Sequence, residues 1–481
     1  MSTYSRIKSW FYTETWALPL DIFRVIFGVL CITYFYSLFN DIPDFSSQNG
    51  LINHQYFLKH WWFLKLNLIP PDPSDLYFKI ILGAATFLST FLILGIYPRL
   101  TSFLLFLTAS TVQRWNFAVI YVDDVAMHLV LFWLILLPTG STLTLFGYLK
   151  AGQNPWQDWM TRKVPSIGIK LFLLNICWIY FYAGMEKVFS EMWYTGFALY
   201  PILLIPISRV SEFIKPEHLE IIRVATYMSL LVEVIMPILL LMRKGSWLKY
   251  TGLLMMISFH IFIVTTLRIP FANIAMLGSA ILFFNEELMD FIHRRKAVSN
   301  SLGNIKKLSK ASLIAIIFFV LVIKSISRHI PYLKTVGETS TKVLFLAGVM
   351  QNYQLFDWIS RFNYKIEKEE FFIPAGTDKK IALNHKDFLP DAVRYNLFQL
   401  RFYGVKWLLV IRGQKHQELK RDIPKRIAAN YCRKLGEDGE VLLKTTIHRI
   451  TEFNYDFNRK PQVVRYKFNC VNGKPKKNMF Y

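Results

Sequence analysis

Cysteine is nearly absent from this chain. Its 481 residues hold four, Cys31, Cys177, Cys432 and Cys470, and no CxxC pair occurs. That removes the sequence basis for thioredoxin-like redox chemistry and for a zinc ribbon. HExxH and HxxxH spacings are missing as well, so no metal is expected. No internal repeat and no low-complexity tract is present. Acidic residues are scarce: 33 Asp and Glu stand against 56 Lys and Arg, a net charge of +23. In so apolar a chain this excess reads as basic loops and attraction to anionic lipid headgroups, not as a nucleic-acid footprint.

Hydrophobic residues are abundant instead. They make up 53% of the sequence, and the mean hydropathy is +0.30. Several apolar runs reach about twenty residues, enough to cross a bilayer's hydrocarbon core, so the expected class is a polytopic membrane helix bundle. Nine spans are expected, near 18–39, 77–97, 99–121, 124–146, 166–186, 218–242, 248–267, 271–287 and 311–330. The run that begins near Leu18 is read as a span, not as a cleaved leader. Residues 196–208 are apolar but short and contain Pro201 and Pro206, which fits a re-entrant or interfacial segment. With the N-terminus inside, the basic residues collect in cytoplasmic loops, including the 292–310 loop, and the C-terminus falls outside.

The character changes after the last span. Residues 1–340 form the expected transmembrane domain, and 345–481 are expected to form a soluble, extracytoplasmic mixed α/β domain. Segments 442–450 and 463–468 read as strands. Segment 415–435 reads as one or two helices, with Pro424 as a break or a first-turn residue. Cys432 and Cys470 could pair in an oxidising compartment, but their spacing leaves this open. The segment 402–407 mixes basic and aromatic residues, as a solvated strand face does.

Chemistry-bearing residues concentrate at the outer ends of spans three to five. Asn175, Trp178, Tyr182 and Glu186 recur at helical spacing and share one face of span five. Lys187 follows, about 100° further round. A lysine beside a carboxylate in a dry place can act as a base; the alternative is a snorkelling interfacial lysine. Arg114 and Asn116 end span three, Asp123 and Asp124 make a short turn, and His128 lies four residues after Asp124. These residues form either an acid–base unit or a helix cap neutralised by Arg114. Arg24, Glu233 and His260 lie inside spans, where an isolated charge is costly, so they are expected to face protein. Pro237 frees the Glu233 carbonyl and permits a kink.

The motif Tyr182-Ala183-Gly184-x-x-Lys187, with Trp193 and Gly196, resembles the vitamin K-dependent γ-carboxylase superfamily and, more broadly, bacterial horizontally transferred transmembrane (HTTM) domain proteins. Arg24, Arg114-Trp115-Asn116, Leu137-Pro138-Thr139-Gly140, Glu233 with Pro237, and Gln351 with Phe356 agree in order over about residues 15–360. The resemblance implies that Lys187 is a catalytic base, with Glu186, Asp124 and His128 as partners. It implies substrate contacts from Arg114, Asn116, Asp123, Tyr182 and Trp193. It also implies a quinone-type lipid-soluble cofactor, a peptide, lipid or small-molecule substrate, and a place in the bacterial cytoplasmic membrane. Glu186-Lys187 replaces the family's lysine pair, and Val122-Asp123-Asp124 replaces its Trp-Asn-Asn-His motif, which argues against glutamate γ-carboxylation itself. Two other classes stay open: a non-enzymatic maturation, assembly or immunity factor, and a transporter using Glu233 and His260.

Overall fold

The computed structural model describes residues 13–46, 73–115, 122–150, 155–204, 208–293, 308–327, 329–347, 364–383, 417–449 and 462–480. Helix dominates. The long helices of the first part are α1 (Ala17–Ser46), α2 (Asp75–Leu94), α3 (Pro98–Trp115), α4 (Val122–Leu136), α5 (Ile167–Val188), α6 (Leu219–Leu240), α7 (Trp247–Thr266), α8 (Pro270–Phe283) and α9 (Leu308–Ile326). Among the described residues, each of the nine expected spans overlaps one of these helices, although α4 ends at Leu136, short of the expected 146. Five helical segments are long and apolar enough to cross a membrane: Ala17–Phe39, Asp75–Leu94, Ile167–Val188, Pro216–Leu240 and Trp247–Thr266. Pro270–Phe283 and Ala315–Ile326 are shorter apolar helices. These lengths mark a membrane protein.

Local sequence sets the helix ends. Ser74 caps α2 by accepting from the Tyr77 amide, and Gly95 closes it at φ +64°, with its N–H on the Leu92 carbonyl. A Cβ at Gly95 would come within 3.1 Å of Arg24 Nη2 and of the Leu143 carbonyl, so this turn needs both the left-handed conformation and the missing side chain. Pro270 opens α8 at its first position, where no N–H is needed. Pro237 does not break α6, which runs through it. Segment 196–208 contributes a six-residue helix, Leu199–Leu204, buried at every position.

Polar contacts mark the two ends of the bundle. At one, β1 (Glu14–Trp16) pairs antiparallel with β2 (Lys163–Pro165), and Asn285 donates to the Trp16 carbonyl at 3.0 Å. Lys249 meets Glu287 and Lys244 meets Asp290, each at 2.6 Å. Burial would lower the Lys244 amine, but the Asp290 hydrogen bond and the Asp290, Glu286 and Glu287 charges together raise it above its ordinary value. At the other end, the Arg209 amide bonds the Thr266 carbonyl at 2.8 Å, and Tyr227 Oη donates to the Tyr194 carbonyl. Such alternation is what antiparallel packing of successive helices produces.

The first end is locked by Arg24, which is fully buried. It does not snorkel. Its partner is Asp21, one turn earlier, at 3.0 Å, and its guanidinium also donates to the Leu92, Ile93, Thr142 and Leu143 carbonyls. Asp21 in turn accepts from the Gly140 and Thr142 amides and from Thr142 Oγ1. The Leu137-Pro138-Thr139-Gly140 landmark is therefore one side of a clamp that ties α1 to the ends of α2 and α4.

The described C-terminal part contains β3 (Tyr364–Pro374), β4 (Ile381–Ala382), β5 (Gly439–Arg449), β6 (Gln462–Val471) and β7 (Lys474–Phe480) in one antiparallel sheet, ordered β4-β3-β5-β6-β7. Helix α11 follows α10 (Lys334–Ala347) in the chain, spans Gln417–Leu435, and packs on β5, β6 and β7. It is one helix running through Pro424 rather than two. Alternate residues Val441 and Leu443 on β5, and Phe468 and Cys470 on β6, are buried, as are Ile427, Ala428, Tyr431 and Cys432 of α11. Cys432 and Cys470 form a disulfide, with Cα atoms 5.3 Å apart, joining helix to sheet. Residues 351, 356 and 402–407, and most of the basic 292–310 loop, lie outside the described residues.

Removing one member of the Arg24 clamp should cost more than removing both. Arg24→Met strands the Asp21 carboxylate in the bundle, an expected loss of about 3–5 kcal/mol, and Asp21→Asn/Arg24→Met should recover most of it. Thermal melting in detergent, alongside membrane yield, measures both.

Candidate functional site

Helix α5 presents two different faces to its neighbours. Cys177, Tyr180, Gly184 and Lys187 recur every three or four residues and meet α6 and α7. Trp178, Tyr182 and Glu186 form the stripe that the sequence marks, and they meet α9. Trp178 Nε1 donates to Ser325 Oγ at 2.8 Å, and Tyr182 Oη donates to the Ser325 carbonyl at 2.5 Å. The two rings stack with centroids 5.8 Å apart. Asn175 departs from this stripe and accepts from Trp133 Nε1 on α4.

Lys187 is 3% exposed and bonds both Glu233 oxygens at 2.5 Å. Glu186 is not its partner; that carboxylate meets His329, just past α9, at 2.5 Å. The correction follows from helix geometry: adjacent residues point about 100° apart, so Glu186 and Lys187 reach different helices. Lys187 Nζ also lies over the Trp193 ring, 4.7 Å from its centroid. Gly184 makes the pair reachable. A Cβ there would come within 2.8 Å of Val234 and 3.2 Å of Glu233 Cβ, so only glycine lets α5 and α6 approach this closely.

His260 occupies the next turn of the same seam. Asn273 on α8 donates through Nδ2 to the Ile269 carbonyl, which turns its Oδ1 toward His260 Nδ1 at 2.6 Å. Nδ1 must then carry the proton, leaving Nε2 as the acceptor for Tyr180 Oη at 2.6 Å. Tyr180 and Asn273 were missed in the sequence. Tyr180 precedes Lys187 by seven residues and so shares its face, a signal that was available; Asn273 carries no comparable signal.

The acidic turn builds a second buried group. Asp124 accepts from Tyr34 Oη on α1 at 2.5 Å, and Asp123 accepts from the Ala272 amide in the first turn of α8 at 2.7 Å. His128 turns Nε2 toward Ser110 Oγ on α3 and stacks on Phe106, centroids 4.2 Å apart. Asp123, Asp124, His128 and Lys187 are all buried. The two groups meet α8 at adjacent residues, Ala272 and Asn273. The backbone of Arg114 lies in the last turn of α3; its side chain, and Asn116, lie outside the described residues.

No group of three or more potential metal ligands occurs among the described residues. A quinone-type cofactor does not fit Lys187 as arranged. Its ammonium is taken up by Glu233 and covered by Trp193, while the Trp178–Tyr182 wall faces α9 from the other side of α5. No step is derived through such a group. What the pair itself can do is move one proton between Nζ and a Glu233 oxygen without changing the net charge of the bundle.

No family model matches the chain, and no curated protein and no solved structure matches it.

The partner exchange has a measurable consequence. Glu233→Gln leaves a buried ammonium without its counter-charge and should cost about 3–5 kcal/mol. Glu186→Gln removes a pair whose His329 side is exposed and should cost no more than about 1 kcal/mol. Melting temperatures of the two variants, each against the unaltered protein, decide between Glu233 and Glu186 as the partner.

Proposed function

We propose that this chain is a multi-pass membrane protein of the γ-carboxylase-like, HTTM kind, with Lys187 as a base acting near the outer membrane face. The observation that carries this reading is the buried Lys187–Glu233 pair under Trp193. An amine that can hand its proton to a carboxylate 2.5 Å away becomes a base without importing charge into the bundle. Glu233 takes the role that the sequence gives to Glu186. The substrate class is an acidic group on a peptide, lipid or small molecule arriving at the outer side.

The proposed topology has nine spans, the N-terminus in the cytoplasm and the 345–481 domain outside a bacterial cytoplasmic membrane. Two observations support it. The β1–β2 end carries Arg99, Arg162, Lys163, Arg243, Lys244 and Lys249, as a cytoplasmic end should. The Cys432–Cys470 disulfide belongs in an oxidising compartment.

A second reading, a non-enzymatic assembly or maturation factor, is favoured by a specific observation. Arg24, Asp123, Asp124, His128 and His260 are each bonded to a neighbouring helix or its connecting turn. Polar groups used only to hold helices together look like this.

Lys187→Ala and Lys187→Arg separate the readings. A base requires that both variants reach the membrane and both lose function, because arginine keeps its proton at ordinary pH. Function retained in Lys187→Arg overturns the base and favours the assembly factor. Mass spectrometry of the lipids that copurify with the protein and with Lys187→Ala identifies candidate substrates. For topology, a single reporter cysteine in the 417–435 helix, in an otherwise cysteine-free background, should label in intact cells. Labelling only after permeabilisation overturns the outside assignment.

A further inference from the structure

A lysine ammonium has three N–H donors and no acceptor. In Lys187, Nζ donates to both oxygens of Glu233, and the Trp193 ring lies over it with its centroid 4.7 Å away. The two partners are held differently. Glu233 stands on α6, where Gly184 of α5 packs against it too closely to leave space for a Cβ. Trp193 stands on a short strap, Ser190–Gly196, between α5 and the buried helix Leu199–Leu204. The Ser190 amide bonds the Lys187 carbonyl at 2.9 Å, Glu191–Tyr194 makes a single helical turn, and the Gly196 amide returns to the Trp193 carbonyl at 3.0 Å. Gly196 has φ +78°, which favours glycine. The side chains of the strap divide by side. Met192 and Trp193 turn inward and are 1% exposed, while Glu191 and Tyr194 face outward. The strap is therefore a surface segment whose inward ring covers the amine. Tyr227 of α6 pins it from the outer side, donating through Oη to the Tyr194 carbonyl at 3.2 Å.

We propose that Trp193 is the lid of the Lys187 site: the strap carries its ring off Nζ, and the group that gives its proton to Lys187 takes the ring's place. The inference rests on the reading of Lys187 as a base and says from which side the substrate arrives. The Glu233 side is closed by the packing of α5 on α6, which leaves the strap side as the approach. A ring face offers the ammonium electron density without a net charge. The pair it covers is already neutral overall and is buried, so a substrate that arrives charged would bring in a charge without a partner. The group that replaces the ring is thus an acid that arrives with its proton still on. The Lys187 N–H bond breaks as an O–H bond forms on Glu233. The acidic bond of the substrate then breaks, and its proton goes to the Nζ lone pair. The new ammonium faces the new substrate anion where the ring had been. Net charge is unchanged, and no oxidant or further reactant is needed. Trp193 is a positioning residue here, since it acts through Lys187.

The test uses the full chain in lipid nanodiscs and needs no substrate. Succinimidyl acetate, a small uncharged reagent, acetylates an amine that it can reach. Peptide mass spectrometry reads its rate at Lys187 against that at the exposed Lys215. In the unaltered protein Lys187 should react more slowly than Lys215. Trp193→Ala should raise the Lys187 rate about tenfold and leave Lys215 unchanged, whereas Trp193→Phe, which keeps a ring face on the ammonium, should stay close to the unaltered rate. Tyr227→Phe removes only the outer pin of the strap and should also raise the Lys187 rate, a response that a merely structural cover would not give. Equal rates at Lys187 and Lys215 in the unaltered protein overturn the proposal, as does an unchanged Lys187 rate in Trp193→Ala. A rise in Trp193→Ala with none in Tyr227→Phe makes the ring a fixed cover and overturns the lid. If Trp193→Ala does not fold, Tyr227→Phe decides alone: a faster Lys187 supports the lid, and an unchanged one overturns it. Failure of the base reading is a different result, function retained in Lys187→Arg, and leaves these rates unaffected.

Discussion

A charge carried into a bundle of apolar helices must find its counter-charge and its hydrogen-bond partners within the protein, because lipid offers none. Two such settlements organise this molecule. Arg24 and Asp21 close one end, binding α1 to the turns after α2 and α4 through carbonyls and amides that those turns would otherwise leave without partners. Lys187 and Glu233 bind α5 to α6. Neither pair adds much stability compared with apolar side chains of similar volume, since removing two ions from water costs about what their attraction returns. Each is nonetheless hard to break singly, so each fixes which helices are neighbours. The local sequence serves the same ends: Gly95 leaves space for the guanidinium, and Gly184 for the carboxylate.

The helices were legible because apolar length is a one-dimensional property: each expected span overlaps a helix among the described residues, and five helical segments are long and apolar enough to cross a membrane. The strands at 442–450 and 463–468 were legible from alternation, and β5 and β6 extend them by a few residues. Glu233 and His260 were legible as residues that must face protein. Partner choice was not. Glu186 is next to Lys187 in sequence and looked like its counter-ion, yet the rotation of one residue sends it to His329, 143 positions away. Glu233 is 46 positions from Lys187, and nothing in spacing connects them. Depth was not legible for a related reason: loop position gives the end of the bundle only, and Asp123 and Asp124 turn inward to α8 and α1.

The same bonds that favour a structural role also make chemistry credible at this place. A lysine solvated at an interface stays an ammonium. A lysine paired with a buried carboxylate can pass its proton to that carboxylate without changing the net charge of the bundle. The Asn273 amide adds direction: its own donor bond to Ile269 sets which ring nitrogen of His260 is protonated, and that decides which way Tyr180 points its hydroxyl.

Charge and redox evidence bear on the position of this seam independently. The basic residues gather at the β1–β2 end, and Lys187 lies at the far end of α5 from β2, which immediately precedes that helix. The C-terminal sheet is tied to α11 by a disulfide, and disulfides persist where thiols are not kept reduced. The proposed topology puts Lys187 and the sheet on the same, outer side. The route between them begins with the short stretch from His329, which already holds Glu186, into α10. Glu186 is thus better understood as the point where α5 meets the segment leading to the C-terminal sheet than as half of a catalytic pair.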